Sequence, residues 1–470
     1  MVFSSPLFLS LFLPILLLVY ALTQQRYRNP LLLAASFLFY SWGEPRAVIV
    51  MIALILVNYY AALLMELPRL SSWISRRVIL WLAVIINLSA LFFYKYLDFS
   101  IYNINKFLNI FGIHQIELFH IALPIGISFY CFQALSYTID VYRKEVDVQH
   151  SLMKLALYIS LFPQLVAGPI VRYSTICSEF DDRNLYFNNV YEGLVRFSIG
   201  LAKKVFIADS MGYIADQIFV GEVSTIPQLW AWAGCIAYTL QIYYDFSAYS
   251  DMAIGLGRIF NFHFLENFNF PYSACSIKEF WRRWHISLSS WLRDYLYIPL
   301  GGNRISARRT LINQFIVFLL CGLWHGAAWN FIVWGAWHGF GLISEKFTGR
   351  YLNRLPALVA HAYVMLFVMV GWVLFRSPDL SYAVEYLKIM FLGNVGYDMF
   401  SFMPAWTRCI TISNGLFMII GILFSWPIQI FSFRTLQKNN IGIVLMMALF
   451  VATYCFAMTS NFSPFIYFRF

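Results

Sequence analysis

The stretch CGLWHGAAWNFIVWGAWHGFG, residues 321–341, contains two histidines and no other residue that can carry a charge near neutral pH. Both histidines stand in the same tripeptide, Trp-His-Gly, at 324–326 and 337–339. The length and apolarity of the stretch predict that it lies inside a membrane. Polar groups are costly in hydrocarbon and usually face a cavity or a partner, so His325 and His338 are candidates for either structure or chemistry.

The spacing of the two histidines constrains how they can act together. Thirteen residues advance an α-helix by about 220° beyond whole turns, which puts the two side chains on opposite faces of one straight helix. They can therefore serve one site only if the helix breaks. Gly326 and Gly335 are the candidate positions for that break.

The composition of the whole chain indicates an all-α polytopic membrane protein. Of its 470 residues, 60% are hydrophobic and 12% are charged, whereas a soluble domain carries roughly 25% charged residues. About eleven or twelve apolar segments approach the length needed to span a bilayer. These candidate spans are 4–22, 30–42, 47–66, 77–96, 118–139, 151–170, 191–209, 228–246, 312–333, 357–375, 411–431 and 441–458.

The net charge of +10 does not indicate a nucleic-acid partner. The Lys and Arg residues are spread through short polar gaps between apolar segments, as the positive-inside rule predicts for a protein in contact with the lipid bilayer. The gap between 261 and 312 is the richest in basic residues. Aromatic and leucine side chains recur there at steps of three and four residues, which predicts one amphipathic helix in the membrane interface. His285 lies in this segment.

Several common kinds of enzyme lack their sequence motifs here. The chain contains no phosphate-binding loop, no His-Glu-x-x-His and no Gly-x-Ser-x-Gly. The seven cysteines are widely separated singletons, so no metal site and no disulfide framework are expected. Histidine is the chemistry-bearing residue that remains.

Two stretches together resemble the membrane-bound O-acyltransferase family. They are FWRRWHISLSSWLRDYLYIPLGGNR at 280–304 and GLWHGAAWNFIVWGAWHG at 322–339. Within that family the chain is most similar to the bacterial branch that O-acetylates alginate. Further matching stretches run along the chain: FYSWGEP at 39–45, LPIGISFYCFQALSYTIDVYR at 123–143, FPQLVAGPI at 162–170 and YYDFSAYSDMAIGLG at 243–257.

The resemblance implies a fold and a reaction. It implies one membrane-embedded domain over 1–470, with N-terminal spans to 110, a motif-bearing core over 111–345 and C-terminal spans after it. Tilted spans and reentrant or interfacial helices would surround a central funnel or tunnel. The reaction is acyl transfer from a cytoplasmic thioester, expected to be acetyl-CoA, to a hydroxyl group, with no bound cofactor and no metal.

The family's two site residues correspond to His325 and His285. A neutral imidazole, whose ordinary pKa is about 6.5, suits removal of a proton from the attacking hydroxyl, and this role is expected for His325. His285 can polarise the thioester carbonyl, orient the acceptor or protonate the leaving thiolate. His338 is expected to be structural. Additional substrate-binding candidates are Trp284, Trp324, Arg282, Arg283, Asp245 and Gln164.

Three functions remain open from the sequence. The acyl acceptor is an exported polysaccharide such as alginate, or it is peptidoglycan; alternatively, the histidines form the proton relay of a transporter. For an acetyltransferase we expect location in the bacterial inner membrane and a separate periplasmic acetyltransferase as partner. That partner would complete the transfer to the polymer.

Overall fold

A computed structural model describes the chain as helical, and the described residues form no β-strand. The description covers 1–67, 75–352, 354–394, 411–427, 440–459 and 465–466. Internal contacts divide the chain into two compact units. The first unit comprises 1–194 with 253–265, and the second comprises 195–252 with 266–470.

Twenty α-helices are described. Those that begin in the first unit are α1 (Leu13–Leu22), α2 (Gln25–Ser41), α3 (Ala47–Glu66), α4 (Arg76–Leu91), α5 (Leu97–Ile110), α6 (Ile127–Arg143), α7 (Leu152–Ser160), α8 (Phe162–Leu165), α9 (Tyr173–Ile176) and α10 (Phe187–Ala202). Those that begin in the second unit are α11 (Asp209–Phe219), α12 (Gln228–Ile259), α13 (Ile277–Arg283), α14 (Ile286–Leu292), α15 (Ala307–His325), α16 (Trp329–Leu352), α17 (Ala357–Arg376), α18 (Leu380–Leu392), α19 (Ile412–Phe424) and α20 (Asn440–Thr459).

Four of the described helical segments are long and apolar enough to cross a membrane. They are Ala47–Glu66, Arg76–Ile110, Ala357–Arg376 and Gly442–Thr459. The all-α membrane fold expected from composition is therefore confirmed. The total of eleven or twelve spans and the division of the chain at 110 and 345 stay predictions.

A buried polar cluster ties three helices of the first unit together. Asn58 of α3 and Asn87 of α4 exchange side-chain hydrogen bonds of 3.1 and 3.3 Å. The Thr138 hydroxyl of α6 donates to Asn58 Oδ1 at 2.6 Å. All three side chains are buried, and interhelical bonds of this kind hold helices together where apolar surfaces alone give little specificity.

A break also interrupts the apolar segment 151–170 of the first unit. Helix α7 ends at Ser160, and the short helix α8 follows after Leu161. Gln164 lies in α8, where its buried side-chain amide donates to the Tyr158 main-chain oxygen. The candidate span 151–170 is therefore not one continuous helix.

In the second unit, the stretch with the two Trp-His-Gly motifs is a pair of helices. Helix α15 begins after Ser306, whose hydroxyl accepts from the Arg309 N–H, and it ends at His325. The backbone of Gly326 is extended. A Cβ at this position would collide with the Phe331 ring, so this conformation requires glycine here. The candidate span 312–333 is therefore not one helix but is interrupted at Gly326, one of the two positions considered for a break, whereas Gly335 lies inside α16.

The two helices of this pair pack closely through glycine. A Cβ added at Gly322 of α15 would collide with the Phe331 main-chain oxygen, and one added at Gly335 of α16 would collide with the Phe318 main-chain oxygen. Small residues let helix backbones approach in this way. The glycines thus fix the position of His325 relative to α16.

One sequence expectation about the second unit is wrong. The single amphipathic helix expected between 261 and 312 is two short helices, α13 and α14, followed by a π-helical turn at Arg293–Tyr297. The helix stops because Trp284 is extended and His285 has a positive φ of 43°. The three- and four-residue spacing of apolar side chains continues across this break, which is why the pattern did not reveal it.

We expect Gly335→Ala to destabilise the protein, because the new methyl group has no room between α15 and α16. The expected loss is about 1–3 kcal/mol, as for other overpacked helix contacts. Thermal unfolding of the purified protein in detergent measures it. Gly349→Ala is the matched control in the same helix, since a Cβ there meets no atom within 4 Å; equal unfolding temperatures for the two variants would contradict the packing argument.

Candidate active site

His285 lies at the junction of α13 and α14 and is 1% exposed. Its backbone is left-handed, a conformation that is strained for residues other than glycine and is often found at functional sites. Its ring packs edge-on against Phe246 of α12, with 4.6 Å between ring centroids. Burial lowers the pKa of His285 to about 3, so its imidazole is neutral at physiological pH.

The polar neighbours of His285 are Asn267 and Ser287. Asn267 Oδ1 lies 3.1 Å from His285 Nδ1, and it accepts from the N–H of Ser287 at 3.1 Å and from the Ser287 hydroxyl at 2.9 Å. The main-chain oxygen of Asn267 also accepts from the Ile286 N–H. Asn267 therefore holds both the start of α14 and the imidazole beside it.

His325 is the last residue of α15 and is 4% exposed. Aromatic rings surround it: the ring centroids of Trp324, Trp334 and Phe375 lie 4.9, 5.0 and 5.3 Å from that of the imidazole. The site around His325 is thus an apolar wall with one imidazole in it. Such a wall excludes water from the imidazole.

Ring contacts connect the three buried histidines of this unit. The Trp324 indole lies between His285 and His325, at centroid distances of 6.3 and 4.9 Å. The Trp334 indole lies between His325 and His338, at 5.0 and 4.9 Å. The helix break at Gly326 makes this possible, since both Trp-His-Gly histidines reach the same indole from different helices.

Trp284, the residue before His285, is buried among aromatic rings. It stacks on Phe280, with ring centroids 5.6 Å apart, and packs against Trp372 of α17 at 4.8 Å. Trp372 in turn stacks on Trp334 at 6.2 Å. Trp284 thus belongs to the aromatic packing beside the histidines.

His338 accepts a hydrogen bond from a neighbouring indole. Trp281 Nε1–H of α13 donates to His338 Nδ1 at 3.2 Å. Because an indole N–H only donates, neutral His338 carries its proton on Nε2. Gly371 of α17 lies directly beside that nitrogen and could not carry a Cβ without contacting it.

A second contact fixes α13 to α16. The Glu345 carboxylate accepts from the N–H groups of Ile277 and Lys278, at 2.6 and 3.0 Å, and so caps the start of α13. Glu345 lies seven residues after His338, which puts both side chains on one face of α16. Together they hold the helix that leads directly into His285.

The charged candidates have different surroundings. Arg282 is exposed, whereas Arg283 is half-buried and pairs with Glu279 at 2.7 Å. Asp245 is buried in α12, and its carboxylate pairs with Lys204 at 2.6 Å. Lys204 also pairs with Asp209 at 2.8 Å. The structure therefore places Asp245 in a buried ion cluster, while the next residue, Phe246, contacts His285.

Comparison with known proteins agrees with this architecture. Residues 141–377 match the membrane-bound O-acyltransferase family. The chain belongs to that family. It is 45% identical over 396 residues to a protein of Pseudomonas aeruginosa named probable alginate O-acetylase, covering 83% of this chain and 75% of the relative. A Pseudomonas putida protein of the same name is 40% identical over the full length of both chains.

A Helicobacter pylori peptidoglycan O-acetyltransferase is also similar. It is 37% identical over 426 residues, covering 83% of this chain and 80% of the relative. The family match and these relatives identify the chain as a membrane O-acyltransferase, and confirm the family resemblance given by the histidine motifs.

Sequence reasoning missed two residues of this membrane O-acyltransferase that hold His285 in place, Asn267 and Glu345. Asn267 lies in NFHFLENFNF at 261–270, where a polar residue between phenylalanines was a usable signal. Glu345 is the one acidic residue of α16. A lone acid near the end of an apolar helix also pointed to a specific partner, although the sequence did not show which one.

We expect Glu345→Ala to loosen α13, because two main-chain N–H groups lose their acceptor. The expected cost is about 1–2 kcal/mol of unfolding free energy, as for the loss of a helix cap, together with lower acyltransferase activity. Thermal unfolding and activity in isolated membranes measure the two effects. Glu385→Ala is the control, since the Glu385 side chain is 45% exposed and pairs with Lys388 at 3.4 Å. The same loss in both variants would contradict the role of Glu345 in holding α13.

Proposed function

We propose that this protein transfers acetyl groups from cytoplasmic acetyl-CoA across the bacterial inner membrane for O-acetylation of an exported polysaccharide such as alginate. The observation that carries the proposal is the pair of buried histidines, His285 and His325, joined through Trp324 in a chain whose full-length relative is a probable alginate O-acetylase. An imidazole pair in an apolar wall suits proton transfer during acyl transfer.

In the proposed reaction, the acceptor hydroxyl gives its proton to His325 as its oxygen attacks the thioester carbonyl. The carbon–sulfur bond then breaks, and the leaving thiolate takes that proton back from the imidazolium. The new oxygen–acyl bond replaces the thioester bond, and His325 returns to its neutral form. This sequence needs no metal and no covalent acyl-enzyme.

Exposed arginines near the site support a phosphate-bearing donor. They lie in the segment that contains α13, α14 and the start of α15: Arg282, Arg293, Arg304, Arg308 and Arg309. The planar guanidinium group suits phosphate oxygens, and coenzyme A carries several phosphates. We propose that this basic surface receives acetyl-CoA at the cytoplasmic face.

A partner protein is also part of the proposal. The described ranges are helical and include four candidate membrane spans, with no separate domain among them that would grip a long carbohydrate. We propose that a periplasmic acetyltransferase takes the acetyl group from this protein and delivers it to the polymer.

Peptidoglycan is the second candidate acceptor. The similarity to the Helicobacter pylori peptidoglycan O-acetyltransferase, at 37% identity, favours it specifically. Measurement of ester-linked acetate on purified cell-wall sacculi and on secreted polysaccharide, with and without the gene, separates the two acceptors. The polymer that loses acetate upon deletion is the acceptor.

We expect His325→Ala to abolish polymer acetylation in cells, by at least about 100-fold, since a general base contributes 10²–10⁴-fold. His285→Ala is also expected to lose most activity. His338→Ala is expected to lower the amount of folded protein more than the activity per molecule, because Trp281 loses its acceptor. Base-released acetate, normalised to membrane protein level, gives the result, and full activity without His325 would refute its role as the base.

The partner proposal has its own test. The purified chain, given radiolabelled acetyl-CoA and unacetylated polymer, is expected to transfer no label to the polymer. Addition of solubilised membranes and periplasmic extract from a strain of the same organism that lacks this gene is expected to allow the transfer. The control is the same extract with His325→Ala protein, and robust labelling by the purified chain alone would rule out the need for a partner.

A further inference from the structure

The side-chain oxygen of Asn267 accepts from more than one direction. One of its donors is the Ser287 main-chain N–H, at 3.1 Å. A main-chain N–H can only donate, so the amide atom that faces it is the oxygen and not the nitrogen. The orientation of the Asn267 amide is therefore fixed by the backbone, which removes the usual ambiguity between its oxygen and nitrogen.

This orientation determines where the proton of His285 lies. His285 Nδ1 faces the same oxygen at 3.1 Å, and a hydrogen bond between them requires the proton on Nδ1. The Ser287 hydroxyl also lies 3.4 Å from Nδ1, but it donates its one proton to Asn267 Oδ1 at 2.9 Å and so can only accept from Nδ1. A neutral imidazole has one N–H, so the lone pair is then on Nε2. The buried Asn267 side chain, the positive φ of His285 and the edge-on Phe246 ring leave the imidazole little freedom to rotate.

We propose that Asn267 is a positioning residue that keeps the proton of His285 on Nδ1, so that Nε2 accepts a hydrogen bond from the acyl acceptor. Polarising the thioester carbonyl or protonating the thiolate would instead require an Nε2–H. The tautomer thus selects one of the three roles open to His285, which is to orient the acceptor. The substrate in this inference rests on the proposed function.

The two histidines then have separate tasks on a carbohydrate acceptor. A sugar carries several hydroxyl groups, so one can donate to His285 Nε2 while its neighbour reacts. The reacting hydroxyl gives its proton to His325, and the thiolate recovers that proton when the carbon–sulfur bond breaks. His285 remains neutral throughout, with its Nδ1–H on Asn267.

The tautomer can be measured directly, without any assay of activity. The full chain is labelled with ¹⁵N-histidine, purified in detergent and studied by NMR, and the His285 signals are those lost in His285→Gln. We expect a protonated Nδ1 and an unprotonated Nε2 at neutral pH. A protonated Nε2 in the wild-type protein would overturn the inference, and this result stands whether or not the chain acetylates a polysaccharide.

Substitution of Asn267 tests the consequence for catalysis. Asn267→Leu removes the acceptor oxygen, and we expect at least about a 10-fold loss of polymer acetylation at equal membrane levels, as when a histidine loses the group that fixes its tautomer. Asn267→Asp keeps an oxygen acceptor and is expected to retain most activity. The acidic limb of the pH–activity profile of this variant should move to higher pH. The new carboxylate stabilises the His285 imidazolium and so raises the pKa of His285, whereas binding of the acceptor needs an unprotonated Nε2.

Asn269→Leu is the matched control. It removes the same side-chain amide two residues away, at an exposed position whose main chain bonds to Arg283, and it should leave acetylation unchanged. Full activity of Asn267→Leu, or an equal loss in Asn267→Leu and Asn267→Asp, would contradict the positioning role. If the ¹⁵N signals of His285 in Asn267→Asp still show the proton on Nδ1 but the variant has lost its activity, that result would also contradict the positioning role.

Discussion

The placement of protons on buried imidazoles is the constraint on which this site depends. A polar group enclosed by apolar side chains needs a specific partner, and for histidine that partner also selects the tautomer. The Trp281 indole donates to His338 and leaves its proton on Nε2. The Asn267 oxygen accepts from His285 and keeps its proton on Nδ1. Two histidines in one aromatic cluster are thus held in opposite tautomers, one by an indole N–H that can only donate and the other by an amide oxygen that can only accept.

Sequence reasoning predicted most of what depends on local chemistry. Helix geometry showed that the two Trp-His-Gly histidines could share a site only if the helix broke between them, and Gly326 was one of two candidate positions for that break. The end of α13 at Arg283 was not predictable in this way, because the left-handed residue that follows, His285, is in contact with Asn267, which lies 18 residues earlier. An apolar pattern at three- and four-residue steps continues through such a break, so periodicity alone favours one helix where the structure has two.

Contacts between distant segments explain most of what the structure shows and the sequence did not predict. The sequence implied through its family resemblance that His325 and His285 belong to one site, and in the structure both rings lie beside the Trp324 indole. It gave no sign that Trp372 and Phe375, from a different helix, would complete the aromatic wall. Asp245, an acid inside an apolar region, was among the substrate-binding candidates. Its carboxylate instead pairs with buried Lys204, a partner that sequence spacing does not reveal.

The repeated tripeptide shows how position in a helix separates two identical motifs. The first motif contains the end of α15, so His325 lies where the chain leaves the helix and can approach a reacting group. The second lies inside α16, where His338 shares a face with Glu345 and both hold α13. Since α13 leads directly into His285, the second motif acts on the site through another histidine. One tripeptide therefore supplies the imidazole proposed for proton transfer, and the other fixes the segment that presents its companion.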